Sequence, residues 1–187
     1  MAKDIDVIKV VTHTDGGEEY SHNLSRYLSN GDSVSVKGYG VDENDPATAQ
    51  MQFDAAAKYH RNEGKNQYIQ LIMSFLRDTA PDAETAMAIT DKVLEPLKDN
   101  HMMLTGCHHK PREKSDYHTH TAICTTDLET GKLLHPTNAV NYPIAQNIAD
   151  IIQKPVQLVI ERKNPPENGD EDTAFKRVFY PHIKPED

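Results

Sequence analysis

Two histidines one residue apart, His118 and His120, fall in a strand-like stretch, and a second pair, His108-His109, lies just upstream. Alternate residues of a strand project to the same face. His118 and His120 therefore aim two imidazoles at one point. His108 closes the apolar run Met102-Met103-Leu104-Thr105-Gly106-Cys107. A hairpin joining the two runs brings a third imidazole beside the first two. Three neutral imidazoles suit a divalent ion that keeps open coordination positions, an arrangement fitted to catalysis more than to a closed structural site. The competing reading is plain clustering, since the chain holds ten histidines and some belong on the surface or in the core.

At 187 residues the chain has room for one well-buried core but not for two ordinary domains. No run of about 18 apolar residues occurs, so no membrane insertion is expected. The start, Met-Ala-Lys-Asp-Ile-Asp, carries no apolar signal segment, and a cytoplasmic location is expected. The two cysteines, Cys107 and Cys124, lack CxxC spacing and read as reduced core residues. A net charge of −9 argues against holding nucleic acid by bulk charge, though not against a local basic groove. Such a groove has a candidate in Lys110, Arg112 and Lys114, next to the histidines.

Along the chain, Ile5 to Val11 reads as a buried strand. Tyr20, Leu24, Tyr27 and Leu28 mark an amphipathic turn or two of helix. Ser33 to Gly40 reads as a short polar strand or loop. Asp45-Pro46 is an N-cap followed by proline, opening a helix with Ala49, Phe53, Ala56 and Ala57 on one face. Tyr68 to Phe75 is a strand. A helix starting near Thr79 turns Ala86, Ile89, Val93 and Leu97 inward, and Pro96 kinks or ends it. After the histidine strands come a turn at Thr130-Gly131-Lys132, a helix from Pro143 to Gln153 and a last strand from Val156 to Ile160. The expected fold class is α+β, a central, mostly antiparallel five-stranded sheet with flanking helices and the histidines on its central strands. Residues 1–163 form the expected domain. Residues 164–187 form an acidic linker, Pro165-Pro166-Glu167-Asn168-Gly169, and a tail.

No GxSxG elbow, Walker A loop or HExxH segment supplies a nucleophile or metal motif of another kind. Tyr27 is a candidate nucleophile, because a tyrosine near a divalent ion can attack a phosphodiester. By local pattern alone it shares a helical face with Tyr20 and Leu24, and that pattern favours a core role. The ordered set "LSRYLSNGD", "YIQLIMSFLRD", "TGCHHKPREKSDYHTHTAI" and "TGKLLH" resembles the HUH-type relaxases of mobilisable plasmids and conjugative elements, in the group with one tyrosine. The resemblance spans roughly residues 5–160.

That resemblance implies site- and strand-specific nicking and strand transfer at an origin of transfer, through a 5′-phosphotyrosine. Tyr27 matches the attacking tyrosine and Ser74 a DNA-contacting serine. His118 and His120 match two metal-binding histidines and His108 the upstream one, with His109 as the alternative if the register slips by one. The implied cofactor is Mg²⁺ or Mn²⁺, although three imidazoles favour softer ions. The implied partners are single-stranded or hairpin origin-of-transfer DNA, relaxosome accessory proteins and a type IV secretion coupling protein. Many members carry an acid two residues after the upstream histidine, where this chain has Lys110. Asp116 or Glu113 would then orient an imidazole in its place. Two alternatives stand beside this reading. One is a replication initiator of the same superfamily, and the other an origin-binding protein with weak or no cleavage. A metal protein unrelated to DNA is the third class.

Overall fold

A computed structural model describes residues 4–13, 33–163 and 175–183 of the chain. Its centre is one sheet of seven strands: β1 (Asp6–His13), β2 (Ser33–Tyr39), β3 (Tyr68–Ser74), β4 (Met103–His109), β5 (Tyr117–Cys124), β6 (Val156–Lys163) and β7 (Phe175–Phe179). The strand order is β2-β4-β5-β3-β1-β6-β7. Every neighbouring pair is antiparallel except β1 and β6. The fold is α+β, as the sequence implies, but with seven strands instead of five. Among the described residues Ser33–Tyr39 is an edge strand despite its polar character, paired on one side with β4. Phe175–Phe179 adds the other edge, so the sheet continues into the stretch that reads as tail. The expected helix around Tyr20 to Leu28 and the linker at 165–169 lie outside the described residues.

Strand alternation sorts the sheet into two faces. One carries Ile8, Val10, Leu71, Met73, Met103, Ile123 and Leu158, all buried. Two helices cover it, α2 (Ala83–Leu94) and α3 (Asn138–Ile152), through Ala86, Val93, Leu94, Ala145, Ile148 and Ala149. The other face is covered at one end by helix α1 (Pro46–Tyr59), whose Ala49 and Phe53 pack on Tyr68, Leu104, Ala122 and Cys124. Asp45 caps α1, accepting from the Ala47 and Thr48 amides at 3.0 and 3.4 Å, with Pro46 in the first turn. After α2 the chain tightens into a 3₁₀ turn at Glu95–Leu97, where Pro96 removes an amide. Helix α3 begins five residues earlier than the sequence suggests, at Asn138, and keeps Pro143 inside its first turns.

Cys107 and Cys124 are buried thiols in two different clusters, one on each face of the sheet, so no bridge can join them. Burial pushes both thiols up to about 11. The reduced-core reading holds. Among the described residues, no helix is long and apolar enough to cross a membrane.

Behind the histidine strands, the two-helix face is threaded by a line of threonines that the sequence gives no reason to single out. Thr105, Thr119, Thr121 and Thr90 are each fully buried. Their hydroxyls pair with one another: Thr105 with Thr121 and Thr90 with Thr119, both at 2.8 Å. Thr90 also reaches the Ala86 carbonyl at 2.8 Å. A buried hydroxyl that loses its partner costs about 1–3 kcal/mol, whereas replacing both partners by apolar isosteres is close to neutral. Thr121→Val alone should therefore destabilise the domain by roughly that amount. Thr105→Val with Thr121→Val should recover most of it. Urea denaturation of the two single variants and the double variant checks this, and strictly additive losses would contradict the pairing.

Candidate metal centre

The β4–β5 pairing decides where the histidines meet. Its register sets His108 opposite His118 and Gly106 opposite His120. All three imidazoles thus share one face of the sheet, beyond the end that α1 covers, with His108 and His120 buried. Ring centroids lie 5.5 Å apart for His108 and His118, and 5.0 Å apart for His108–His120 and for His118–His120. Two imidazoles bound to one ion at about 2.1 Å, at right or tetrahedral angles, place their centroids roughly 4.6–5.3 Å apart. The two 5.0 Å separations involving His120 fall in that range, and the 5.5 Å separation of His108 and His118 lies slightly beyond it. The ring orientations are not yet those of a cage: His108 and His118 lie nearly parallel, 13° between planes, and no ready-gathered set of three donors occurs among the described residues.

Protonation favours the same use. His118 is pushed down to about 4 and His120 to about 3. Burial is the largest cause in both, followed by the neighbouring imidazoles and, at longer range, by Lys110 and, for His118, Arg112. Both rings are therefore neutral at pH 7, with a nitrogen lone pair to offer. His108 Nε2 lies 3.4 Å from Ser33 Oγ at the start of β2, and His120 Nδ1 lies 3.2 Å from the Gln70 carboxamide on β3. Ser74 stands directly across from His118 on the same face.

Other residues singled out from the sequence lie elsewhere. His109 pairs with Tyr117 and stacks on its ring at 4.8 Å, on the opposite face from the triad, so His108 and not His109 is the third imidazole. Asp116 does not reach a histidine of the triad by a hydrogen bond; its carboxylate accepts from Arg77 Nε at 2.7 Å and Nη2 at 3.0 Å. Glu113 stands at the hairpin tip, lining a cleft with Asp4, Asp6, Asp78 and Lys154. Lys114 is paired with Asp4 at 2.6 Å. Lys110 and Arg112 are exposed and form no ion pair among the described residues. Tyr27 lies outside the described residues. Gln70 was missed by the sequence reading. Its signal was available: it falls on the same strand face as Ser74, four residues before it.

The profile of the relaxase family described as MobA/VirD2-like, nuclease domain, matches residues 20–158. The chain belongs to this family. Among solved structures, this relaxase nuclease domain is similar to the conjugative relaxase TrwC in complex with oriT DNA, a metal-free structure. The likeness is 16% in sequence, with a TM-score of 0.48, over 76% of this chain and 65% of that one. The chain thus spans just under two thirds of that protein's length. Comparison with curated proteins returns no match.

Depressed histidine pKa values carry a stability consequence. A neutral imidazole that cannot charge in the fold contributes stability above its unfolded value of 6.5, and that contribution is lost as pH falls through the folded values of about 4 and about 3. The domain's urea midpoint should therefore fall steadily between pH 6.5 and pH 4. His118→Phe with His120→Phe should flatten this dependence; an unchanged slope would contradict the burial of neutral rings.

Proposed function

We propose that this relaxase domain cuts one strand of origin-of-transfer DNA by transesterification onto Tyr27 and later rejoins it. The observation that carries the reading is the convergence of His108, His118 and His120 on one face of the sheet, with Ser74 directly beside His118. A divalent ion held by the three imidazoles would polarise the scissile phosphate and offset charge developing on it. Mg²⁺ and Mn²⁺ are the ions expected, with Mn²⁺ better matched to nitrogen donors.

The remaining work falls to the chain's own groups. Tyr27 lies six residues before Ser33, the residue whose hydroxyl approaches His108. Its phenol attacks the phosphorus, the bond from phosphorus to the 3′ oxygen breaks, and the leaving oxygen takes a proton to become a free 3′ hydroxyl. The DNA 5′ phosphate stays esterified to Tyr27, so the energy of the original bond is kept and the reaction runs backward to join a strand. Ser74 donates a hydrogen bond to DNA beside the cut. Lys110 and Arg112 supply phosphate contacts next to the rings, local positive charge in a chain of net charge −9.

Tyr27→Phe keeps the ring and removes the hydroxyl. It should bind a single-stranded origin oligonucleotide and form no covalent adduct, as read by denaturing electrophoresis of labelled DNA; an adduct in this variant would overturn the nucleophile, leaving Tyr20 and Tyr39 to be tried. Lys110→Gln and Arg112→Gln should each reduce the salt dependence of single-strand binding by a slope of roughly 0.7. Lys114→Gln should change it less, because Asp4 already compensates that charge. Equal changes at all three positions would contradict this division.

A further inference from the structure

We propose that Arg77 is a positioning residue for DNA binding: its guanidinium clips the loop 110–116 to the end of β3 and so fixes Arg112 where a phosphate can meet it. The inference rests on the reading above that Arg112 contacts DNA, and it names the group that places that contact.

Several bonds reach the loop from this one residue. Arg77 lies just beyond the end of β3, beside the loop that joins β4 to β5. Its Nε and Nη2 donate to the two carboxylate oxygens of Asp116, at 2.7 and 3.0 Å. That is a fork of two bonds, which fixes direction as well as distance. Nη2 also donates to the Arg112 carbonyl at 3.2 Å. The Arg77 amide donates to the Lys114 carbonyl at 2.9 Å. One residue therefore holds the loop at Arg112, at Lys114 and at Asp116. Within the loop, the Arg112 amide donates to the Ser115 carbonyl at 2.7 Å and the Lys110 amide to the Asp116 carbonyl at 2.8 Å. The Arg77 hydrogen bonds also hold the Asp116 carboxyl below its usual range, so the fork stays ionised at pH 7.

The arrangement is better suited to binding than to folding. The Arg77 side chain is 56% exposed, and exposed ion pairs add little to stability. The side chains from Lys110 to Lys114 are exposed as well, so no packing orders this part of the loop. A loop that must be ordered when its ligand arrives subtracts that cost from affinity, whereas a loop held in advance does not. An arginine is required for the clip. Lysine keeps the charge but cannot make the planar fork and reach the Arg112 carbonyl together.

That difference supplies the test. A labelled single-stranded oligothymidine is bound at several salt concentrations, and the slope of affinity against salt counts the phosphate contacts. Arg77→Lys keeps the charge, so it would keep a phosphate contact made by residue 77 itself. Acting through Arg112, it should instead reduce the slope by roughly 0.7, as Arg112→Gln should. The double variant should lose no more than either single one, because both remove the same contact. The urea midpoint of Arg77→Lys should stay close to that of the wild type.

A wild-type slope in Arg77→Lys would overturn the proposal, as would losses that add in the double variant. If Arg77→Lys does not fold, Asp116→Asn decides. It removes a negative charge beside the loop, so bulk electrostatics alone would keep or steepen the slope, whereas loss of the fork should flatten it. A slope kept or steepened there overturns the proposal. A wild-type slope in Arg112→Gln overturns the underlying reading of Arg112 as a DNA contact, an outcome distinct from failure of the clip.

Discussion

The site depends on the register of one antiparallel strand pair. His108 meets His118 across β4 and β5 because these residues are directly paired, and His120 joins them because it lies two residues further along the same face. A slip of one residue would send every side chain of a strand to the other face and disperse the triad. The pairing is pinned from several sides. At the tip, Lys110 N–H donates to the Asp116 carbonyl at 2.8 Å and Arg112 N–H to the Ser115 carbonyl at 2.7 Å. Behind the rings, the Thr105–Thr121 hydroxyl pair matches only in this register. Arg77 grips the hairpin through Asp116, and its amide donates to the Lys114 carbonyl at 2.9 Å. The exposed ion pairs among these contribute about 0–1 kcal/mol each, so the hydroxyl pair and the backbone ladder set the register more than they do.

The second organising fact is that charge acts locally. The chain is acidic overall, yet among the described residues the charged side chains that act on the triad are Lys110 and Arg112. Lys110 and Arg112 lie close enough to push the histidines toward neutrality, and no carboxylate hydrogen-bonds to them among the described residues. An imidazole held neutral by burial and by nearby cations is a ready nitrogen donor at pH 7. The same cations favour a phosphate chain approaching the rings. Three of the other carboxylates face positive groups: Asp91 receives Lys37 and Lys98, Asp78 receives Lys154, and Asp4 receives Lys114.

The elements that were legible from the sequence share a cause. HxH alternation, the Asp45-Pro46 cap, the β-branched run at Ile5 to Val11 and the end of α2 at Pro96 are all set by local rules, and the structure keeps them. What was not legible depends on pairing between distant segments. Ser33–Tyr39 and Phe175–Phe179 are edge strands that need only one partner, so their patterns are too weak to announce them. His108 and His109 could not be told apart until the register was known, since neighbouring strand residues face opposite ways. Asp116 looked like an orienting acid because it is near His118 in sequence, but Arg77, 39 residues away, takes it. Gln70 was overlooked because a neutral amide carries no pattern of its own.

The central claim is that His108, His118 and His120 hold one divalent ion together. Electron–nuclear double resonance of the Mn²⁺-loaded domain tests it most directly, because nitrogen couplings report only nuclei bonded to the ion. Three imidazole nitrogen couplings are predicted, and each histidine replaced by alanine should remove one of them or abolish binding. A Mn²⁺ signal without nitrogen couplings, or one that keeps all three when His108, His118 or His120 is replaced, would contradict the account.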